Sequence, residues 1–202
     1  YDTQLDDDGR MLIGFIKKAA SQLKGLVDGL LAYSKSDSIL KEKGSYINLI
    51  ALRKDILGLF AFDNSVSIEI SSVLGHITTN RTAIDQILIN LVSNAIKYND
   101  KESTEIKINV VEHEEDYTFT VVDNGPGIPE EEQQKIFQIF KVLAPTDRYG
   151  ESGNGIGLAT VKRITEKMGG TINLESAKGE GCKFIFNLKK LVHPPEELQL
   201  AK

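Results

Sequence analysis

Two glycine clusters constrain what this chain can fold into more than any other feature. The first is Asp123-Asn124-Gly125-Pro126-Gly127-Ile128. The second is Gly150-Glu151-Ser152-Gly153-Asn154-Gly155-Ile156-Gly157, and Phe137 and Phe140 lie between them. Tyr117 to Val122 is rich in β-formers, so the first cluster reads as a strand delivering a carboxylate into a tight turn. Its Gly-Pro-Gly order fixes one φ and frees two. The second cluster runs into Ile156-Gly157-Leu158-Ala159-Thr160-Val161, a helical start. Free N–H groups and the helix dipole there suit phosphates, and glycines let phosphates approach the backbone. An ionised carboxylate only accepts hydrogen bonds, so in an apolar cleft Asp123 favours adenine's amino group over guanine's carbonyl. Neither cluster is a P-loop, because no Gly-Lys-Ser/Thr follows. No strand leads directly into the second, as a dinucleotide fingerprint requires.

The 202 residues allow one large domain or a domain with an appendage. With 41% hydrophobic and 26% charged residues the composition is that of a soluble globular protein, and no apolar run approaches the roughly 18 residues of a membrane span. The net charge of −5 argues against nucleic-acid binding by general electrostatics, so any polyanion must be held by local groups. Cys182, the single cysteine, has no internal disulfide partner and is expected to be a small core residue, which fits a reducing compartment. The chain begins at Tyr1 without a signal sequence and reads as a fragment of something longer.

Leu5, Gly9, Leu12, Ile16, Ala19, Leu23, Leu26, Leu30 and Tyr33 alternate in spacing by four and three, a heptad seam. Ile13, Ala20 and Val27 widen the apolar stripe beyond what a two-stranded coil needs, which predicts a bundle helix relying on packing partners. The polar stretch 34–45 predicts a linker. Beyond it the pattern predicts a strand near Tyr46 to Leu49, a helix from Ile50 to Phe60 and a strand from Val66 to Ile70. A long helix from Arg81 and two antiparallel hairpins follow, 106–122 and 171–188. The tail from His193, with Pro194-Pro195 and acidic residues, predicts a disordered end. At about 100° per residue, Ile84, Leu88, Leu91 and Ala95 share one face of the long helix. Asn90, Asn94 and Lys97 line its border, where two amide oxygens a turn apart can orient a hydrated Mg²⁺ and Lys97 can meet a phosphate.

In order, Asn90-Leu91-Val92-Ser93-Asn94-Ala95, the Asp123 loop, Ile136-Phe137-Gln138-Ile139-Phe140 and Gly153-Asn154-Gly155-Ile156-Gly157-Leu158-Ala159 resemble the N, G1, F and G2 boxes of sensor histidine kinases. The resemblance covers roughly Tyr46 to Lys190. Leu5 to Ser34 resembles the second helix of that family's dimerisation hairpin, as in phytochrome-like members. It implies a Bergerat-type ATP-binding fold: an α/β two-layer sandwich with a mixed, mostly antiparallel sheet covered by helices on one face, preceded by one long bundle-type helix. The implied divisions are a partial hairpin at 1–36, a linker at 37–45, the catalytic domain at 46–190 and a tail at 191–202.

By the same resemblance Asn94 is the principal Mg²⁺ ligand and Asn90 its helper, Lys97 contacts phosphate and Tyr98 walls the nucleotide. Asp123 takes the adenine amino group, and Gly125, Gly127 and Ile128 line the pocket. Gly153, Gly155, Ile156, Gly157 and Leu158 carry the lid's phosphate loop. Implied partners are ATP, a response-regulator receiver domain and a second copy of the parent chain, with no nucleic acid and no direct membrane contact. The implied location is cytoplasmic, on its own or as the inner portion of a membrane-anchored sensor. Related ATPases carry a water-activating glutamate where Asn90 stands, and an amide has no useful basicity, so transfer is favoured over hydrolysis.

Two departures stand out. The kinases resembled carry Lys or Gln and then Arg after the second phenylalanine, whereas here Lys141 is followed by Val142, leaving Lys141 or Arg148 as candidate γ-phosphate contacts. The acceptor histidine of such kinases lies on the first hairpin helix, and His76, His113 and His193 are expected in a loop, a turn and a tail. Two rival readings remain, a non-catalytic nucleotide-binding scaffold and a Bergerat-fold ATPase.

Overall fold

The computed structural model describes residues 6–39, 44–60 and 65–191. Leu5, His193 and the tail beyond Leu191 lie outside them. In chain order the elements are α1 (Asp7–Ile39), β1 (Ser45–Asn48), α2 (Leu49–Phe60), β2 (Val66–Ser71), β3 (His76–Thr79) and α3 (Arg81–Lys97). They continue with β4 (Thr104–Glu112), β5 (Asp116–Asp123), α4 (Glu130–Gln133), α5 (Gly157–Lys167), β6 (Ile172–Ser176) and β7 (Cys182–Lys189).

Strict alternation makes the main sheet one-sided. Ile106, Ile108 and Val110 of β4 are buried while Glu105, Lys107 and Asn109 between them face water. Tyr117, Phe119 and Val121 of β5 and Phe184, Phe186 and Leu188 of β7 continue the apolar face. The strand order is β2-β4-β5-β7-β6, antiparallel except for the parallel β2–β4 edge. Phe119 and Phe186 are cross-strand partners whose rings stack at 4.9 Å, and truncating either to alanine is expected to cost about 3–5 kcal/mol.

Helices cover that face. Helix α3 presents Ile84, Ile87, Leu88, Leu91, Val92 and Ala95 to it, α2 presents Leu49, Leu52 and Ile56, and α5 presents Val161 and Ile164. The face expected of α3 is the buried one. Asn80 starts α3 by accepting the Ala83 N–H at 2.8 Å, and Asn48 caps α2 through the N–H groups of Ile50 and Ala51.

The sequence expectation differs from the structure in three places. Helix α1 runs on to Ile39, through the first part of the predicted linker. Nothing between Tyr33 and Ile39 is glycine or proline, the two residues that most strongly oppose a helix interior. His76 belongs to a strand and not a loop. It opens β3, pairs with Asn48 of β1 and stacks on Tyr46 at 4.3 Å; a four-residue strand is too short to show a period. Cys182 is half-buried at the margin of the core, beside Asp123. Along α1 the seam residues Leu12, Ile16, Leu23 and Leu30 are exposed, while Leu26 is half-buried where α1 meets the start of α5.

Candidate functional site: a base loop and a phosphate loop around one helix

Strand β5 ends on Asp123, which is 8% exposed. Its Oδ1 accepts the N–H of Gly125 at 2.9 Å and of Cys182 at 3.2 Å, so two backbone bonds fix the carboxylate's orientation. Burial pushes the Asp123 carboxyl above the usual aspartate range, and the two N–H groups and the Cys182 thiol offset this only in part. Burial, and then the Asp123 charge, pushes the Cys182 thiol up to about 12. It is protonated at neutral pH.

The loop after Asp123 lies backbone to backbone on the turn joining β6 and β7. Gly127 has φ +68° and a Cβ there would strike the Ala177 carbonyl; Gly181 has φ +80° and faces the Asp123 carbonyl in the same way. Gly179 N–H donates to the Pro126 carbonyl at 2.6 Å. Ile128, partly buried, donates its N–H to Ser176 Oγ at 2.8 Å. On the other flank Asn99 Nδ2 donates to Asn124 Oδ1 at 2.8 Å, tying the base loop to the end of α3.

The polar edge of α3 meets the phosphate loop. A Cβ on Gly157, the first residue of α5, would stand 2.8 Å from Asn90 Oδ1 and 3.8 Å from Asn94 Nδ2. Asn90 Nδ2 donates to the Gln86 carbonyl at 2.8 Å, which leaves its oxygen on the Gly157 side. The Asn94 amide makes no hydrogen bond among the described residues, and the exposed Lys97 ammonium no ion pair. Tyr98, the C-cap of α3, packs its hydroxyl against Gly153; burial, with a smaller effect of the Asp147 charge, raises its pKa.

Among the described residues no group of three His, Cys, Asp or Glu side chains forms a metal cage. The Asn90 oxygen, and the Asn94 amide, whose nitrogen is the nearer atom but which no hydrogen bond holds in that orientation, instead suit a hard cation that keeps water and phosphate ligands, as Mg²⁺ does.

The segment between the two glycine clusters is pinned at three points. Phe140, with φ +66°, donates its N–H to the Gly155 carbonyl at 2.8 Å, and Gly155, at φ +65°, has its missing Cβ 2.6 Å from the Phe140 carbonyl carbon. Lys141 pairs with Glu132 at 2.7 Å. Arg148 donates Nη1 to Thr104 Oγ1 at 2.9 Å and its N–H to the Lys97 carbonyl at 2.8 Å. Both candidate replacements for the missing lid arginine are thus engaged by protein groups. Ile156 is buried and Leu158 packs against the core. Asn154 reaches outward, donating Nδ2 to the Gly25 carbonyl of α1 at 3.1 Å, while Gly29 makes room for Ile156 Cδ1.

The structure thus brings Asn90 and Asn94 of α3 to Gly157 and Tyr98 to Gly153, and sets the loop of Asp123, Gly125, Gly127 and Ile128 beside the C-terminal end of the same helix, where Lys97 is exposed. Gln133, Ser176, Asn99 and Asn154 were not legible as site residues, because their roles come from partners distant in sequence. The lone Asn-Asp pair after Tyr98 was the only local hint for Asn99.

Residues 79–192 match the family model described as histidine kinase-, DNA gyrase B- and HSP90-like ATPase. Cyanobacterial phytochrome B of Nostoc sp. (strain PCC 7120) is 34% identical over 192 residues, 94% of this chain and 25% of that protein. The chain spans about a quarter of the length of such curated relatives. Among solved structures, full-length ShkA in complex with AMPPNP shares the fold with a TM-score of 0.71 at 23% identity, over 96% of this chain and 42% of that one. Histidine kinase ThkA in complex with the response regulator protein TrrA gives 0.67 at 27% identity, over 97% and 55%. With more than half of its length inside the family model, the chain belongs to the histidine kinase-, DNA gyrase B- and HSP90-like ATPase family.

Proposed function

We propose that this chain is the ATP-binding catalytic part of a sensor histidine kinase, passing the γ-phosphate of ATP to a histidine on a helix outside it. From there the phosphate goes to a receiver-domain aspartate of a response regulator. The observation that carries the reading is the meeting of Asn90 and Asn94, on the C-terminal half of α3, with Gly157, while Asn99 just past the helix ties the Asp123 loop to the same end. Adenine lies on Asp123 and the triphosphate runs toward Gly153 and Gly157. Lys97 neutralises phosphate charge, and lid N–H groups hold the oxygens. Mg²⁺, held by Asn94 with help from Asn90, supplies charge neutralisation at the phosphates when bound. The chemistry asked of the protein is positioning, and Asn90 offers no base to activate water.

The remaining assignments rest on the same reading. Residues 1–36 belong to a dimerisation hairpin and 46–190 to the catalytic domain. The exposed seam residues Leu12, Ile16, Leu23 and Leu30 of α1 support pairing with a second parent chain. No described helix is long and apolar enough to cross a membrane, and the working location is the cytoplasm.

The test supplies a separate hairpin bearing the parent's acceptor histidine, together with labelled ATP and Mg²⁺. The expected outcome is acid-labile label on the hairpin and none on this chain. ATP binding without transfer under any condition would favour a nucleotide-binding scaffold, which the absence of an arginine after Lys141 supports. Steady hydrolysis by the chain alone would favour an ATPase.

A further inference from the structure

One side-chain amide holds the base loop at the point where it leaves the pocket. Gln133, half-buried at the end of α4, donates Nε2 to the Ile128 carbonyl at 3.0 Å and to the Ser176 carbonyl at 2.8 Å. An amide nitrogen carries two hydrogens, so both bonds are satisfied at once. Ser176 completes the clasp. Its Oγ accepts the Ile128 N–H at 2.8 Å and donates to the Gly181 carbonyl at 2.6 Å. Gly181 packs on the Asp123 carbonyl, and the next residue, Cys182, gives its N–H to the Asp123 carboxylate. A continuous path therefore runs from Gln133 through Ser176 and Gly181 to Asp123 Oδ1, whose anchoring sets the aim of the carboxylate's other oxygen.

We propose that Gln133, acting through Ser176, is a positioning residue for base recognition: it clamps the loop Asp123–Ile128 onto the β6–β7 turn and so holds the Asp123 carboxylate in line with an exocyclic amino group. The proposal rests on the reading of Asp123 as the base contact. Asp123 is held chiefly by backbone N–H groups, and backbone N–H groups move when their loop moves. Neither end of the loop is covalently short: Asp123 ends a strand, and the chain after Ile128 turns at once into the four-residue α4. Without the amide, the Ile128 and Ser176 carbonyls lose their shared donor, and the contact between loop and hairpin turn is loosened to what the Ile128–Ser176 Oγ and Gly179–Pro126 bonds retain.

The test compares ATP with purine riboside 5′-triphosphate, which lacks the 6-amino group, by titration calorimetry well below the melting temperature. The preference for ATP is the readout, because a residue that only stabilises the fold lowers the melting temperature without altering it. Gln133→Met keeps length and apolar packing but donates nothing, and the preference should fall about tenfold, the equivalent of about one hydrogen bond. Gln133→Lys, which restores a donor, should recover most of it. Ser176→Ala removes only the hydroxyl links and should lower the preference in the same direction; it decides the matter if the methionine variant does not fold. An unchanged preference in whichever of these variants folds overturns the proposal. Asp123→Asn is the control: if it too leaves the preference unchanged, the base reading has failed, whereas if it alone abolishes the preference, only the role of Gln133 has.

Discussion

Replacing Asp123 by asparagine separates what the carboxylate does for binding from what it costs the fold. The amide oxygen can keep both N–H bonds now made by Oδ1, from Gly125 and Cys182. The other position then becomes an NH₂ group facing the adenine amino group, two donors where a donor and an acceptor should meet. A charge-assisted hydrogen bond contributes about 1.5–3 kcal/mol, so adenosine affinity should fall roughly ten- to a hundredfold or more. Stability should not fall with it, because the variant no longer buries a charge.

The pH dependence has a definite sign. Asp123 has a folded pKa above its unfolded value, so its cost to stability is present above the folded pKa and vanishes as pH drops below the ordinary aspartate range. Binding runs the other way: the acceptor is lost as pH falls through the raised pKa. Calorimetry with adenosine, which carries no phosphates to titrate, should show affinity declining on acidification in the parent. In the variant that pH dependence should be absent. An unchanged dissociation constant, or the same pH slope in both proteins, would refute the assignment.

Asn94→Ala should abolish Mg²⁺-dependent phosphotransfer to a supplied hairpin while leaving adenosine binding and the circular dichroism melt near parental values, since helices accept alanine readily; transfer at the parent rate would put the metal elsewhere. Hydrogen exchange of residues 141–153 should slow when a non-hydrolysable ATP analogue is added, and equal protection with and without it would count against a lid. With its thiol pushed up to about 12 against an ordinary value of about 9, Cys182 should alkylate with iodoacetamide at pH 8 about a thousandfold more slowly than in the urea-unfolded chain. Mass spectrometry of the single labelled peptide gives the rate, and comparable rates would show that the thiol is not held beside Asp123.

Much of this arrangement was legible because it is periodic or because it demands glycine. The buried face of α3, the alternation in β4 and β5, and the positive-φ turns at Gly127 and Gly155 all announce themselves within a few residues. What was hidden depends on tertiary juxtaposition. Strand β3 has only four residues and exists because β1 pairs with it. Polarity between Tyr33 and Ile39 looked like a linker but lacks the glycine or proline that would stop α1. Gln133 looks like any residue of a charged surface turn until Ile128 and Ser176, forty-eight positions apart, converge on it.

The packing of Tyr98 against Gly153 also gives the molecule an optical handle. The chain contains no tryptophan, six tyrosines and eight phenylalanines, so phenols dominate its near-ultraviolet absorption and emission over the weaker phenylalanine bands. Tyr117 is buried in the core and Tyr46 is stacked on His76, both away from the lid. Tyr149 lies within 141–153 and is already exposed, whereas Tyr98 links the end of α3 to Gly153, with its hydroxyl in a burial environment that shifts its ionisation. A lifting of the Gly153 loop on nucleotide exchange would pass the half-buried phenol to water, a change expected to show in an intrinsic spectrum free of indole.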